Sequence, residues 1–131
     1  MKRKAIVLMT TLFFLMGGMG CEKDLKYEIY ENHEISACGI RDPLNNIEWL
    51  AKMKKDPKIL TSIVLYKNIH SEEYYFSFNM PNELGYTTSM FYDCSGKNIF
   101  GWNTATPPGG LYEEFHSDKE FVAVIWEVKN K

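Results

Sequence analysis

The chain has little of what catalysis or metal binding is built from. Its three histidines, His33, His70 and His116, are scattered, and no His-x-x-x-His or Cys-x-x-Cys pair occurs, so no metal site is legible. His116-Ser117-Asp118 holds the residue types of a hydrolytic triad, yet neighbours in sequence cannot line up as nucleophile, base and orienter. Glycines at 96, 101, 109 and 110 are followed by no Gly-Lys-Ser/Thr, which excludes a phosphate loop. The carboxylate pairs Glu72-Glu73 and Glu113-Glu114 read as solvated positions, because adjacent strand residues face opposite ways. Repeats and low-complexity tracts are missing, and no apolar run reaches the ~20 residues of a membrane span. The sequence therefore assigns no catalytic residue, no metal and no cofactor.

What is there begins at the N-terminus. Met1-Lys2-Arg3-Lys4 is a basic stub, and Ala5 to Met16 is an apolar stretch, the two parts of a secretory signal. Gly17-Gly18-Met19-Gly20 is small and flexible, and the next residue is Cys21. A cysteine at that place distinguishes a lipoprotein signal from an ordinary one: its thiol takes a diacylglyceryl group, and cleavage before it makes it the first residue of the mature chain. Two acyl chains and a further N-terminal one, such as palmitate, hold a protein on a membrane far more firmly than one chain does. The expected address is the bacterial outer membrane, lipid-anchored, on its periplasmic or its surface-exposed side. Loss of Lys2, Arg3 and Lys4, with no acid removed, takes the formal charge from −2 to −5. Nucleic acid is thereby disfavoured as a partner, since that binding rests on basic surface.

Once Cys21 carries lipid, Cys38 and Cys94 remain. An even pair in an exported chain reads most simply as a disulfide, worth about 4 kcal/mol in the chain-entropy model for so long a loop. The alternative is one of them as a catalytic thiol. Residues 21–36 are charge-dense and read as a lipidated tether, and 37–131 as a single domain. Cys21-Glu22-Lys23-Asp24 resembles the Lys-plus-acid signals that follow the lipidated cysteine in surface-exported lipoproteins of the Bacteroidota. A helix is expected over 43–55: Asp42 as N-cap, Pro43 at the first position, Leu44, Ile47, Leu50 and Met53 along one face, and Asp56-Pro57 as its stop. After Pro57 the pattern becomes that of strands, at 59–66, 73–78, 86–93, 98–102 and 121–128. The expected fold is α+β: one N-terminal helix packed on an antiparallel sheet of four or five strands. Residues 103–119 are expected to be a long loop, the kind of segment where binding surfaces sit.

Ala37-Cys38-Gly39-Ile40-Arg41-Asp42-Pro43-Leu44, with the later Trp49-Leu50, resembles a block of small, uncharacterised lipoproteins of the Bacteroidota, and Phe91-Tyr92-Asp93-Cys94-Ser95-Gly96 is similar to their second block. The resemblance implies an envelope address and a Cys38–Cys94 bridge tying the helix entrance to a hairpin. It implies no activity.

Aromatic residues are the remaining candidates for function, with 8 Tyr, 8 Phe and 3 Trp. Tyr75, Trp102, Tyr112 and Phe115 are the expected members of an exposed contact patch, because aromatics anchor interfaces and stack on sugar rings. The functional expectation is a non-catalytic, lipid-anchored binding or interaction domain that meets an envelope protein, an extracellular protein or a glycan. Its alternative is a small envelope enzyme with a site assembled from dispersed residues such as His70, His116 and one acid.

Overall fold

A computed structural model of the chain describes residues 27–105 and 110–130. Residues Ile29–Lys129 form one compact unit; Met1–Glu28 with Asn130–Lys131 form a second, of which Tyr27, Glu28 and Asn130 alone are described, all three as strand. Six strands make one sheet in the order β1-β8-β4-β5-β6-β7: β1 is Tyr27–Glu31, β4 Ser62–Asn68, β5 Tyr74–Pro81, β6 Thr87–Tyr92, β7 Asn98–Asn103 and β8 Lys119–Asn130. A small separate hairpin joins β2, Ser36–Ala37, to β3, Ile40–Arg41. The helices are short: α1 is Pro43–Asn46, α2 Glu48–Lys52 and α3 Gly110–His116.

The expected fold class is corrected by this architecture. The protein is mostly β, and no single N-terminal helix spans 43–55. Ile47, at φ −84° and ψ 116°, is extended and separates α1 from α2. Two local choices account for the break. Asn45 and Asn46 are weak helix formers whose amides bond elsewhere, Asn45 to Asp42 and Asn46 to the Arg41 carbonyl. The extended backbone also drops the Ile47 side chain into the core, where it is 4% exposed. Asp42 makes no capping bond; it sits at φ 50° and gives its carboxylate to His33 and Asn45 instead. α2 ends at Lys52, with Met53 as its extended C-cap, before Asp56-Pro57, and Lys55 Nζ donates to the carbonyls of Leu50 and Met53 at the helix end.

Three further expectations change. The main sheet has six strands among the described residues, because β1 comes from the segment read as tether: residues 27–31 are strand, and Ile35 packs against the core. Residues 21–26 lie outside the described residues, as does the whole of 1–20, with the signal and Cys21. The long connection holds α3. The last strand does not extend the β4 to β7 meander; it returns to lie between β1 and β4.

One face of the sheet carries the main core. Ile63, Leu65, Phe76, Phe78, Ile125 and Trp126 meet Leu44, Ile47 and Leu50 from the α1–α2 segment. The Cys38–Cys94 disulfide, with Cα atoms 5.9 Å apart, staples the β2–β3 turn, which leads into that segment, to the β6–β7 turn. Trp49 fixes the same corner: its ring meets Phe76 edge-on at 5.5 Å and its Nε1–H donates to the Cys94 carbonyl at 2.9 Å. Gly96 is required there, because its φ is +88° and a Cβ would lie 2.9 Å from the Trp49 ring.

Candidate functional site

The opposite face of the sheet is built in three cross-strand rows. Tyr66 and Tyr75 pair at the end near the β4–β5 turn; Val64, Ser77, Phe91 and Phe100 form the middle row; Ser62, Asn79, Ser89 and Trp102 form the third. The third row is polar. Asn79 donates through Nδ2 to Ser62 Oγ at 2.9 Å and accepts from Ser89 Oγ at 2.7 Å, so one amide is clamped between two hydroxyls.

α3 lies over the aromatic part of this face. Its sequence, Gly-Leu-Tyr-Glu-Glu-Phe-His, sends Tyr112, Phe115 and His116 inward at helical spacing and leaves Leu111 76% exposed. Phe115 stacks on Phe100 at 4.4 Å and meets Phe91 edge-on at 4.8 Å. Tyr112 lies between two rings, 4.5 Å from Trp102 and 4.4 Å from His116. Lys119 closes the helix end: its side chain is 7% exposed, its Nζ donates to the Phe115 carbonyl at 2.7 Å and to Asp118, and the ammonium sits 3.9 Å from the Phe115 ring centre.

Two polar atoms in this cluster are left over. Trp102 Nε1 and His116 Nε2 are buried and have no hydrogen-bond partner among the described residues. Burial of such a group without a partner costs about 1–3 kcal/mol. Burial and the nearby Lys119 ammonium both hold the His116 imidazole below its ordinary pKa, so it is neutral at pH 7. Tyr75, at the cluster's edge, has its hydroxyl pushed up to about 12 by burial and by its bond to Glu73.

The four residues expected to form a contact patch are thus brought together, but as half-buried members of a packed cluster rather than as an exposed surface. Sequence reasoning missed Tyr66, Phe91 and Phe100, which alternation along β4, β6 and β7 places on this face, and the polar row, whose members lie on three different strands. Of the dispersed residues named for an enzyme, His116 is in the cluster with aromatic neighbours and no carboxylate bond, while His70 is exposed in the β4–β5 turn. His33 bonds to Asp42 at 2.8 Å and lies 3.3 Å from Glu31, on the surface. None of its hydrogen bonds reaches a serine, threonine or cysteine.

A wide cleft of about 530 Å³ lies near the disulfide, lined by Glu72, Glu73, Tyr75 and Asp93 among others. Its acids already have partners: Glu72 pairs with Lys67, Glu73 accepts from Tyr75, and Asp93 accepts from Ser95 and the Lys97 amide. No group of three or more His, Cys, Asp or Glu among the described residues is arranged to hold a metal ion. No protein-family model matches the chain, and neither a curated protein nor a solved structure matches it.

Proposed function

We propose that the chain is a lipid-anchored cell-envelope protein whose sheet domain is a non-catalytic binding domain, reading a hydroxyl-rich ligand, a glycan, on the face covered by α3. The observation that carries the reading is the pair of unpartnered groups, Trp102 Nε1 and His116 Nε2, on either side of Tyr112. An indole N–H can only donate, and a neutral imidazole with its proton on Nδ1 accepts at Nε2. A sugar hydroxyl both accepts and donates, so hydroxyl groups satisfy the two atoms together. Aromatic faces beside them supply the stacking surface that sugar rings use, and the Ser62–Asn79–Ser89 row continues the polar strip from Trp102 across the sheet. Tyr112 packs against both rings, so a displacement of Tyr112, or of the seven-residue helix that carries it, opens the space beside them in one movement.

The anchoring part rests on Cys21 and the signal pattern before it. Its test is metabolic labelling with a fatty acid: Cys21→Ala abolishes the label and releases the protein from membranes, and persistent labelling of that variant refutes the assignment. The binding part is tested by titrating the soluble domain with envelope polysaccharide and peptidoglycan fragments while following tryptophan fluorescence. A saturable change that is lost in Trp102→Phe and kept in Trp49→Phe supports the site. Stoichiometric capture of a protein from intact cells, unaffected by Trp102→Phe and Tyr112→Ala, overturns it.

A further inference from the structure

The sheet has two ends, and the chain's own connectivity says which of them meets the bilayer. Within the compact unit, the Asn32 amide donates to the Ile125 carbonyl and the Lys129 ammonium lies over the Tyr30 ring, so β1 runs against β8 and Ile29 lies towards the end where Glu127 pairs with Ser62. The β5–β6 turn is at that same end, because Asn79 pairs with Ser62 and Pro81 with Thr87. Ile59 is there as well; it precedes β4 and shares a shallow cleft with Met80. The tip of this turn carries Leu84, which at 80% exposure is the most exposed large hydrophobic side chain among the described residues, and Tyr86 stands beside it. Ile59 is 58% exposed.

Exposure alone does not choose an end, since Ile69 and Phe121 are also exposed at the other. Chain length does. Cys21 is eight residues before Ile29, a reach of at most about 29 Å when fully extended. The seven residues of β4 alone cover roughly 24 Å, so the far end could touch the anchoring bilayer only if the linking chain ran back along the sheet almost fully stretched.

From this we infer that the β5–β6 turn, through Leu84 and Tyr86 with Ile59 beside them, docks on the lipid surface that holds the Cys21 anchor. The inference rests on the lipidation proposed for Cys21. Glu83 at the tip limits the depth: Leu84 and Tyr86 seat at the headgroup level, where an apolar side chain and an amphipathic ring are both accommodated, and the turn does not enter hydrocarbon. Docked this way, the domain stands with its sheet upright and holds the α3 face to the side, open to ligands moving parallel to the membrane.

The test uses the mature, lipidated protein in vesicles of phosphatidylethanolamine and phosphatidylglycerol, with an environment-sensitive fluorophore on a single added cysteine. Cys38 and Cys94 are bridged and Cys21 carries lipid, so an added cysteine is the only free thiol. A label at Leu84→Cys is expected to gain several-fold in intensity and shift to the blue on reconstitution, and a label at Glu72→Cys to change little. With Leu84→Asp added, a label at Tyr86→Cys loses its response while co-sedimentation with vesicles is kept, because the acyl chains hold the protein there. Equal responses at 84 and 72, or a larger one at 72, overturn the docking. If Cys21 takes up no fatty acid, the anchoring proposal fails and the docking with it; if Cys21 is acylated and position 84 stays silent, the docking alone fails.

Discussion

Two tryptophans on opposite faces of the same sheet are treated differently by the fold. Trp49, on α2, lies beside the disulfide, its ring against Phe76 and its N–H donated to the Cys94 carbonyl. Trp102 lies on the α3 face with rings around it and, among the described residues, no acceptor for its buried N–H. A buried donor is normally satisfied, and an exception in a native chain calls for a cause. On the first face every device serves stability: a bridge, a glycine shaped to an indole, a lysine closing a helix end. The second face buries aromatic area under a short helix and leaves two polar atoms without a partner among the described residues, and the proposed ligand site rests on those two atoms.

The largest expected effect separates the faces by energy. Phe76 is fully buried and touches Trp49, so Phe76→Ala should cost about 3–5 kcal/mol in urea unfolding. Phe115 is only half-buried, and Phe115→Ala should cost roughly half as much. Equal costs would mean that α3 belongs to the stability core, and the contrast would be broken. Next in size, the paired change Cys38→Ser with Cys94→Ser should lower stability by about 2–4 kcal/mol while leaving any ligand response at Trp102 intact. Loss of that response along with the bridge would show that the two faces act as one.

How much of this was legible follows from which interactions are local. The strands after Pro57 were readable because alternation and turn residues are written in neighbouring positions, as in Tyr74 to Phe78 and Cys94-Ser95-Gly96. The bridge was readable because two cysteines had one simple partnership. The helix at 43–55 was over-read: the apolar spacing was real, but it recorded which side chains reach the core, and Ile47 reaches it from an extended backbone. β1 was hidden because a charged strand at the edge of a sheet has the composition of a linker. α3 was hidden in a segment whose prolines and glycines read as loop, although Tyr112 and Phe115–His116 already had helical spacing. The polar row could not be found at all, since Ser62, Asn79 and Ser89 become neighbours only through strand register.

A smaller pair of effects returns to the tryptophans. Trp49→Phe strands the Cys94 carbonyl and should cost about 1–3 kcal/mol. Trp102→Phe discards a donor that has no partner among the described residues, so its stability should stay within about 1 kcal/mol of the parent even though ring area is lost. Matching losses would imply that the Trp102 N–H is satisfied in solution, and the argument for a ligand there would lose its footing.

The smallest expected effect is in pH. His116 is held below its ordinary value of 6.5 by burial first and by Lys119 second, so between 6.5 and its folded value the unfolded chain binds a proton that the folded chain does not. Stability from this site is complete above about pH 6.5 and is lost as pH falls through that window. His33 works in the opposite sense: its bonds to Asp42 and Glu31 raise it, giving stability that is complete below 6.5 and is lost as pH rises through its folded value. A single unfolding curve mixes the two, so the informative quantity is the difference between wild type and His116→Phe. That difference should move against wild type as pH is lowered from ~7.5 to ~5.5, with the His33 contribution cancelling between the two proteins. A difference that does not depend on pH would mean that the folded His116 ring takes up its proton as readily as a free one. Nε2 would then have a partner in solution, and the α3 face would be no less satisfied than the face beneath the disulfide.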